Sequence, residues 1–181
     1  CEVRNVRDLE MARDCGTRWF WTAARIMQDY DDLRAIGAAY YPGTLIIKRG
    51  TGCTLRDVKG AVQHVMQSSP YGKTTAEGLW VCERGIAGIG CEEDLRWRPD
   101  LLIVPQLKEA FPGLKVMVDC SHSTGRREYV EPIAMAAKGV GADGVMIEVM
   151  SNPEESPSDA RQTIDIPTFR NIVVKLRRSE T

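Results

Sequence analysis

The chain has 181 residues, 43% hydrophobic and 27% charged, with 24 Lys and Arg against 25 Asp and Glu. That size and composition suit one globular domain with a sizeable core, and the balanced charge excludes a broad basic field for nucleic acid or a polybasic membrane patch. No stretch approaches the roughly 20 apolar residues of a membrane span, the opening Cys-Glu-Val-Arg-Asn-Val-Arg is too charged for a secretion signal, and the six cysteines lack CxxC pairing, so a reducing cytoplasmic location and small-molecule or subunit partners are expected.

In chain order, the first strand candidate is Arg18 to Thr22, followed by a helix entered through Asp29 and stopped near Gly37. A second strand, Thr44 to Arg49, ends in Lys48-Arg49-Gly50. Thr54 and Asp57 have capping-box spacing and open a helix whose stripe is Leu55, Val58, Val62, Val65 and Met66; His64 on that helix reads as structural or solvent-facing. The third strand, Gly78 to Arg84, ends in Cys82-Glu83-Arg84-Gly85. Gly85-Ile86-Ala87-Gly88-Ile89-Gly90 is glycine-rich, but its glycine order is wrong for a dinucleotide turn and no helix-opening pattern follows closely. The fourth strand, Lys115 to Cys120, runs into Ser121-His122-Ser123-Thr124-Gly125-Arg126-Arg127, and a helix from about Arg127 to Lys138 comes next. The fifth strand, Gly144 to Val149, contains Glu148. A last helix opens at Pro167, with Phe169, Ile172, Val173 and Leu176 on one face and Lys175, Arg177 and Arg178 where cations suit the helix dipole.

These strands are short and mostly apolar on both faces, as in a parallel sheet covered by helices. Their alternation with helices means βα units, either doubly wound or closed into a barrel. The polar residues favour the barrel, because in that fold catalytic groups come from the C-terminal ends of several strands. Lys48, Arg84, His122 and Glu148 each fall at or just beyond the end of a different strand. Each has a plainer reading as well. Lys48 and Arg84 taken singly read equally as solvated cations, yet two cations at equivalent positions, each close to a glycine, suit a phosphate or carboxylate. A lone His122 reads as a satisfied core residue or as a ligand. Glu148 within an apolar strand needs a metal or a cation to offset its desolvation, and Asp159, in a Ser/Pro-rich loop, is either a turn or N-cap residue or a third ligand. His, Glu and Asp from adjacent strand ends suit divalent Mn, Fe, Co or Zn with open positions.

At these residues the chain resembles a known family. Lys48-Arg49-Gly50, Cys82-Glu83-Arg84-Gly85-Ile86, Val118-Asp119-Cys120-Ser121-His122-Ser123-Thr124-Gly125-Arg126-Arg127, and Gly141 to Val149 continuing through Asn152-Pro153-Glu154 to Ser158-Asp159 are similar to segments of the 3-deoxy-D-arabino-heptulosonate 7-phosphate (DAHP) synthases. The branch is the small one, related to 3-deoxy-manno-octulosonate 8-phosphate (KDO8P) synthase and sialic acid synthase, and the likeness runs from Glu2-Val3 to about Phe169. It implies an α/β fold, a (β/α)8 TIM-type barrel lacking about its first two strands, so that residues 1–181 form a single partial barrel domain with six of the eight βα units of a full barrel of about 250 residues. It implies a transferase that condenses phosphoenolpyruvate with erythrose 4-phosphate in a metal-dependent, aldol-type step opening the shikimate pathway. His122, Glu148 and Asp159 match the family's metal ligands, and Lys48 and Arg84 its phosphoenolpyruvate-binding cations, so that Lys48, Arg84 and His122 are expected to act in catalysis. A homo-oligomer of the complete protein is implied too.

The departures carry their own expectations. The family's Gly-Pro-Cys and Lys-Pro-Arg-Thr-Ser segments are missing, and Cys1 matches a family Thr rather than the missing metal ligand. Trp21, Ile26, Cys120 and Met150 stand where the family has Gln, Asn, Pro and His; Ala160-Arg161 replaces Gly-Pro, and Ala87 to Arg96 is unlike the family loop. A different aldehyde sugar, or a non-catalytic or regulatory relative that keeps the fold and anion binding, therefore stands as the alternative. The 181-residue chain by itself is expected to be catalytically silent, to self-associate or aggregate, and to bind metal weakly.

Overall fold

A computed structural model describes residues 1–71, 76–88, 91 and 96–178. Among the described residues the strands are β1 (Glu2–Val3), β2 (Trp19–Thr22), β3 (Thr44–Lys48), β4 (Leu79–Glu83), β5 (Lys115–Asp119) and β6 (Gly144–Met146). The α-helices are α1 (Val6–Asp14), α2 (Tyr30–Ala39), α3 (Leu55–Ser68), α4 (Ile103–Ala110), α5 (Cys120–Thr124), α6 (Val130–Gly139) and α7 (Ile166–Arg177). Strand order in the parallel sheet is chain order, β1-β2-β3-β4-β5-β6, the outcome that right-handed βα connections between adjacent strands produce. The chain packs as two compact units, Cys1–Cys82 with Pro105–Val116, and Glu83–Val104 with Met117–Thr181. Among the described residues no helix is long and apolar enough to cross a membrane.

In the first unit the register aligns Trp21 with Ile46 and Ile46 with Trp80, and one layer further along aligns Lys48 with Cys82. Side chains alternate across a strand, so Phe20, Leu45, Ile47 and Val81 point to the other face, where all four are fully buried. The helices of this unit start where the sequence offers side-chain acceptors. Asn5 caps α1, Asp29 caps α2, and Thr54 and Asp57 form a complete capping box at α3. Gly37, expected to stop α2, does not, since the helix continues to Ala39. A Cβ there would lie 3.1 Å from the Val65 carbonyl oxygen, so this glycine serves the close approach of α3 instead. His64 stacks on Tyr30 with ring centroids 4.3 Å apart and meets Arg34 Nη1 at 2.9 Å, a structural setting.

In the second unit, Met117 to Asp119 of β5 pair in parallel with Gly144 to Met146 of β6. Val118, Val130, Ala134, Ala137 and Ile172 are fully buried. Here the strand ends differ from expectation. β6 stops at Met146 rather than Val149, because the Glu148 N–H donates to Ser121 Oγ at 3.0 Å and its carbonyl accepts from Ile164 N at 3.1 Å. Cys120 belongs to α5 and not to β5, since Asp119 caps the helix that begins there. Arg127 to Tyr129 form a 3-10 turn before α6 opens at Val130, and α7 begins at Ile166 under an Asp165 cap, with Pro167 in its first turn. β1, α1, α4 and α5 are elements that sequence patterning did not mark.

Candidate functional site

The site grows from the end of β5. Asp119 Oδ1 accepts the His122 N–H at 2.9 Å, as an N-cap does, while Oδ2 lies 2.8 Å from His122 Nδ1. The Asp119 carbonyl also accepts from Ser123 Oγ at 2.8 Å. An ionised carboxylate only accepts, so Nδ1 carries a ring hydrogen and Nε2 is the ring atom left to meet a cation. Nε2 is 3.3 Å from Glu148 Oε1 and 3.8 Å from Asp159 Oδ2. α5 closes on Gly125, whose φ of +71° is left-handed; a Cβ at this position would lie 2.8 Å from Arg96 Cβ. Both facts require glycine here.

Glu148 lies beyond β6, held by Ser121. Burial pushes its carboxyl above the usual carboxylate range; His122 and a hydrogen bond from Gln162 act against that rise, and the nearby Asp159 and Asp119 add to it. Asp159 sits at φ +55°, an uncommon conformation for a residue with a side chain. Its carbonyl accepts from Gln162 N at 3.0 Å, Thr163 N at 3.2 Å and Thr163 Oγ1 at 3.1 Å, which offsets the strain of that backbone. Arg96 Nη1 pairs with Asp159 Oδ1. One ligand atom each from His122, Glu148 and Asp159 lie within 4.8 Å of one another. One imidazole nitrogen and two carboxylate oxygens form a donor set that divalent Mn, Fe, Co and Zn accept. Such a charge would also relieve the half-buried Glu148, so these residues fit an ion of this kind.

The two candidate cations stand in different units. Lys48, at the end of β3, is 6% exposed, and its N–H donates to Thr22 Oγ1 at 3.2 Å. Beside it Arg49 is 3% exposed, with Nε donating to the Cys53 carbonyl at 3.0 Å and N to the Cys82 carbonyl at 2.9 Å. In the second unit Arg84 follows β4, and among the described residues its Nε is buried with no hydrogen-bond partner, as is the indole Nε1 of Trp97. A buried donor without an acceptor is costly and rare. Gly85 makes the surroundings tight, for at φ +89° a Cβ would meet Trp97 Cβ at 2.5 Å; its N–H is taken by Glu83 Oε1 at 2.7 Å.

Thus the structure gathers His122, Glu148 and Asp159 within one unit. Sequence reasoning did not assign roles to Asp119, Ser121, Arg96 and Gln162, which hold that group. Asp119 had a local signal, the cap spacing to His122. Arg96 and Gln162 had none, because their partners come from remote segments. The glycine-rich run ending at Gly90 and the segment Ala87 to Arg96 lie partly outside the described residues, which omit 89–90 and 92–95.

Residues 1–180 match the DAHP synthetase I family. A phospho-2-dehydro-3-deoxyheptonate aldolase of Thermotoga maritima is 32% identical over 155 residues, covering 86% of this chain and 43% of that protein. A 2-dehydro-3-deoxyphosphooctonate aldolase of Campylobacter jejuni subsp. doylei is 31% identical over 156 residues, 76% of this chain and 55% of that one. Among solved structures, the Thermotoga maritima DAHP synthase superposes with a TM-score of 0.85 at 29% identity, over 97% of this chain and 48% of that chain. A truncated form of the Thermotoga enzyme gives 0.84, also at 29% identity, over 97% of this chain and 63% of that chain. The chain spans about half the length of the curated relatives it matches.

Proposed function

The chain belongs to the DAHP synthetase I family, and on that premise we propose that it serves a cytoplasmic transferase reaction, the metal-dependent, aldol-type condensation of phosphoenolpyruvate with erythrose 4-phosphate. The products are 3-deoxy-7-phosphoheptulonate and phosphate, the opening step of the shikimate pathway to aromatic amino acids. The observation that carries the reading is the approach of His122 Nε2 and the Glu148 and Asp159 carboxylates to within 4.8 Å.

A divalent ion held by those three residues would polarise the aldehyde oxygen of the sugar phosphate. The remaining work falls to side chains. Lys48 and Arg84 would grip phosphoenolpyruvate, chiefly its phosphate, and orient its enol carbon toward the aldehyde. The phosphate would give Arg84 Nε an acceptor, which it lacks among the described residues. A carbon–carbon bond then forms between C3 of phosphoenolpyruvate and the aldehyde carbon, water adds at C2, and phosphate leaves as the C2–oxygen bond breaks. Asp119 would hold the His122 ring in its ligand tautomer throughout.

A second reading keeps the chemistry and changes the aldehyde. It is favoured by the likeness to an octonate aldolase as well as a heptonate aldolase, at 31% and 32% identity. The test has two levels. The 181-residue chain should bind Mn2+ or Co2+ and phosphoenolpyruvate in calorimetric titrations, and loss of His122 should remove the metal. Phosphate release by the protein that carries these residues should then require phosphoenolpyruvate, a divalent metal and erythrose 4-phosphate; release with other phosphorylated aldoses alone selects the second reading. A chain that binds neither metal nor phosphoenolpyruvate overturns both.

A further inference from the structure

Each of the three convergent donors has a second polar atom, and a different protein group holds each one. Asp119 holds His122 Nδ1 at 2.8 Å, Gln162 Nε2 donates to Glu148 Oε2 at 3.3 Å, and Arg96 pairs with Asp159 Oδ1. Gln162 is 2% exposed, and its Oε1 accepts from Arg96 Nη1 at 3.4 Å. Chemistry fixes the orientation of this amide. Arginine can only donate and an ionised carboxylate can only accept, so the amide oxygen must face Arg96 and its nitrogen Glu148.

We infer that Arg96 and Gln162 are positioning residues that hold Glu148 and Asp159 as one-oxygen ligands, leaving coordination positions open for the substrate. The inference rests on the metal reading of the site. A carboxylate free to turn can close on a cation through both oxygens, and two such ligands beside an imidazole would fill positions that a catalytic ion needs. Glu148 Oε2 and Asp159 Oδ1 are instead engaged away from the common centre, leaving Oε1 and Oδ2 toward His122 Nε2. Because Arg96 meets both Asp159 and Gln162, the two carboxylates are held through one connected pair of side chains and not independently.

Co2+ is the probe, because its visible absorption strengthens as coordination number falls. The wild-type chain should give an intense band on titration. Gln162→Met keeps an unbranched side chain of similar size but cannot donate; it should weaken Co2+ about tenfold, the lower end of the effect of losing an outer-shell partner, and should reduce band intensity as Glu148 closes on the ion. Arg96→Ala, at a position exposed enough to leave folding intact by far-ultraviolet circular dichroism, should reduce the band in the same direction. Arg96→Lys, which retains a donor, should recover part of it. His122→Ala separates the two ideas. If it abolishes Co2+ binding while Gln162→Met and Arg96→Ala keep the wild-type band and affinity, the positioning inference is wrong and the metal reading survives. If His122→Ala binds Co2+ as the wild type does, the metal reading fails and takes the inference with it.

Discussion

At the scale of single residues, the chemistry depends on how little freedom is left to His122. Its backbone N–H and its ring both engage Asp119, at 2.9 and 2.8 Å, so one carboxylate sets the helix start and the ring tautomer together. Asp119→Asn can present its amide oxygen to Nδ1 but lacks the charge that raises the basicity of Nε2. It is expected to lower Co2+ or Mn2+ affinity by about 10- to 100-fold, measured by competition with a chelating dye. Glu148 sets the pH dependence. Its carboxyl is raised by burial, so without metal it contributes stability at low pH that is lost as pH rises through the raised value. Metal binding reverses the preference by requiring the ionised form, so affinity should climb with pH and binding should release protons to the buffer. Isothermal titration in two buffers of different ionisation enthalpy reads that release directly; an affinity flat across the acidic range would contradict it. Arg84→Ala removes the buried Nε, which has no partner among the described residues, and should weaken phosphoenolpyruvate binding without altering Co2+ affinity, a split that a merely structural role would not produce.

At the scale of elements, the ends of helices carry the local stability. Thr54 and Asp57 exchange bonds at α3, with Thr54 N donating to Asp57 Oδ2 at 2.7 Å and Asp57 N to Thr54 Oγ1 at 3.3 Å. Thr54→Ala should cost about 1 kcal/mol in urea unfolding. The caps also predict an acid response. A hydrogen bond from Thr54 holds the Asp57 carboxyl below the usual carboxylate range, and one from Thr168 does the same for Asp165 at α7. A lowered value means that the cap contributes above the ordinary carboxylate range and is lost as pH falls through the lowered one. Amide protection at Thr54 and Thr168, whose N–H groups donate to those carboxylates, should therefore fall on acidification, relative to the intrinsic exchange rate, before that of the core amides of Val62 or Ile172. Gly125→Ala tests the other kind of terminus. It forces a side chain into a left-handed position 2.8 Å from Arg96 Cβ, so it should both destabilise α5 and disturb the residue that pairs with Asp159.

At the scale of the whole molecule, metal binding and the two packing units make one further prediction. All three proposed ligands lie in the second unit, with Glu83–Val104 and Met117–Thr181. A ligand that binds only folded protein adds about 2.7 kcal/mol at a hundredfold excess over its dissociation constant. Hydrogen exchange with and without Co2+ should show new protection at Ser121 to Gly125 and at Gln162 to Ile164, larger than any at Leu45 to Ile47 of the first unit. Equal protection of both units would mean that the ion binds elsewhere or that the units open together.

The sequence by itself determined those features whose cause is local. The βα alternation follows from apolar runs and helical periodicity, and the Thr54–Asp57 box from residues three apart. The family likeness, carried by contiguous segments around Lys48, Arg84, His122 and Glu148, came from the same one-dimensional information. Tertiary structure decided what depends on distant segments meeting. It turned Gly37 from a stop into a contact with Val65, drew Glu148 out of its strand toward Ser121 and Ile164, and brought Arg96 to Asp159 and Gln162 across 63 and 66 residues. It also decided which atom of each ligand faces the common centre. That choice is made by hydrogen bonds to the opposite atom, and the residues that make them for Glu148 and Asp159 lie too far along the chain, or too plainly among ordinary polar residues, to leave a pattern in the sequence.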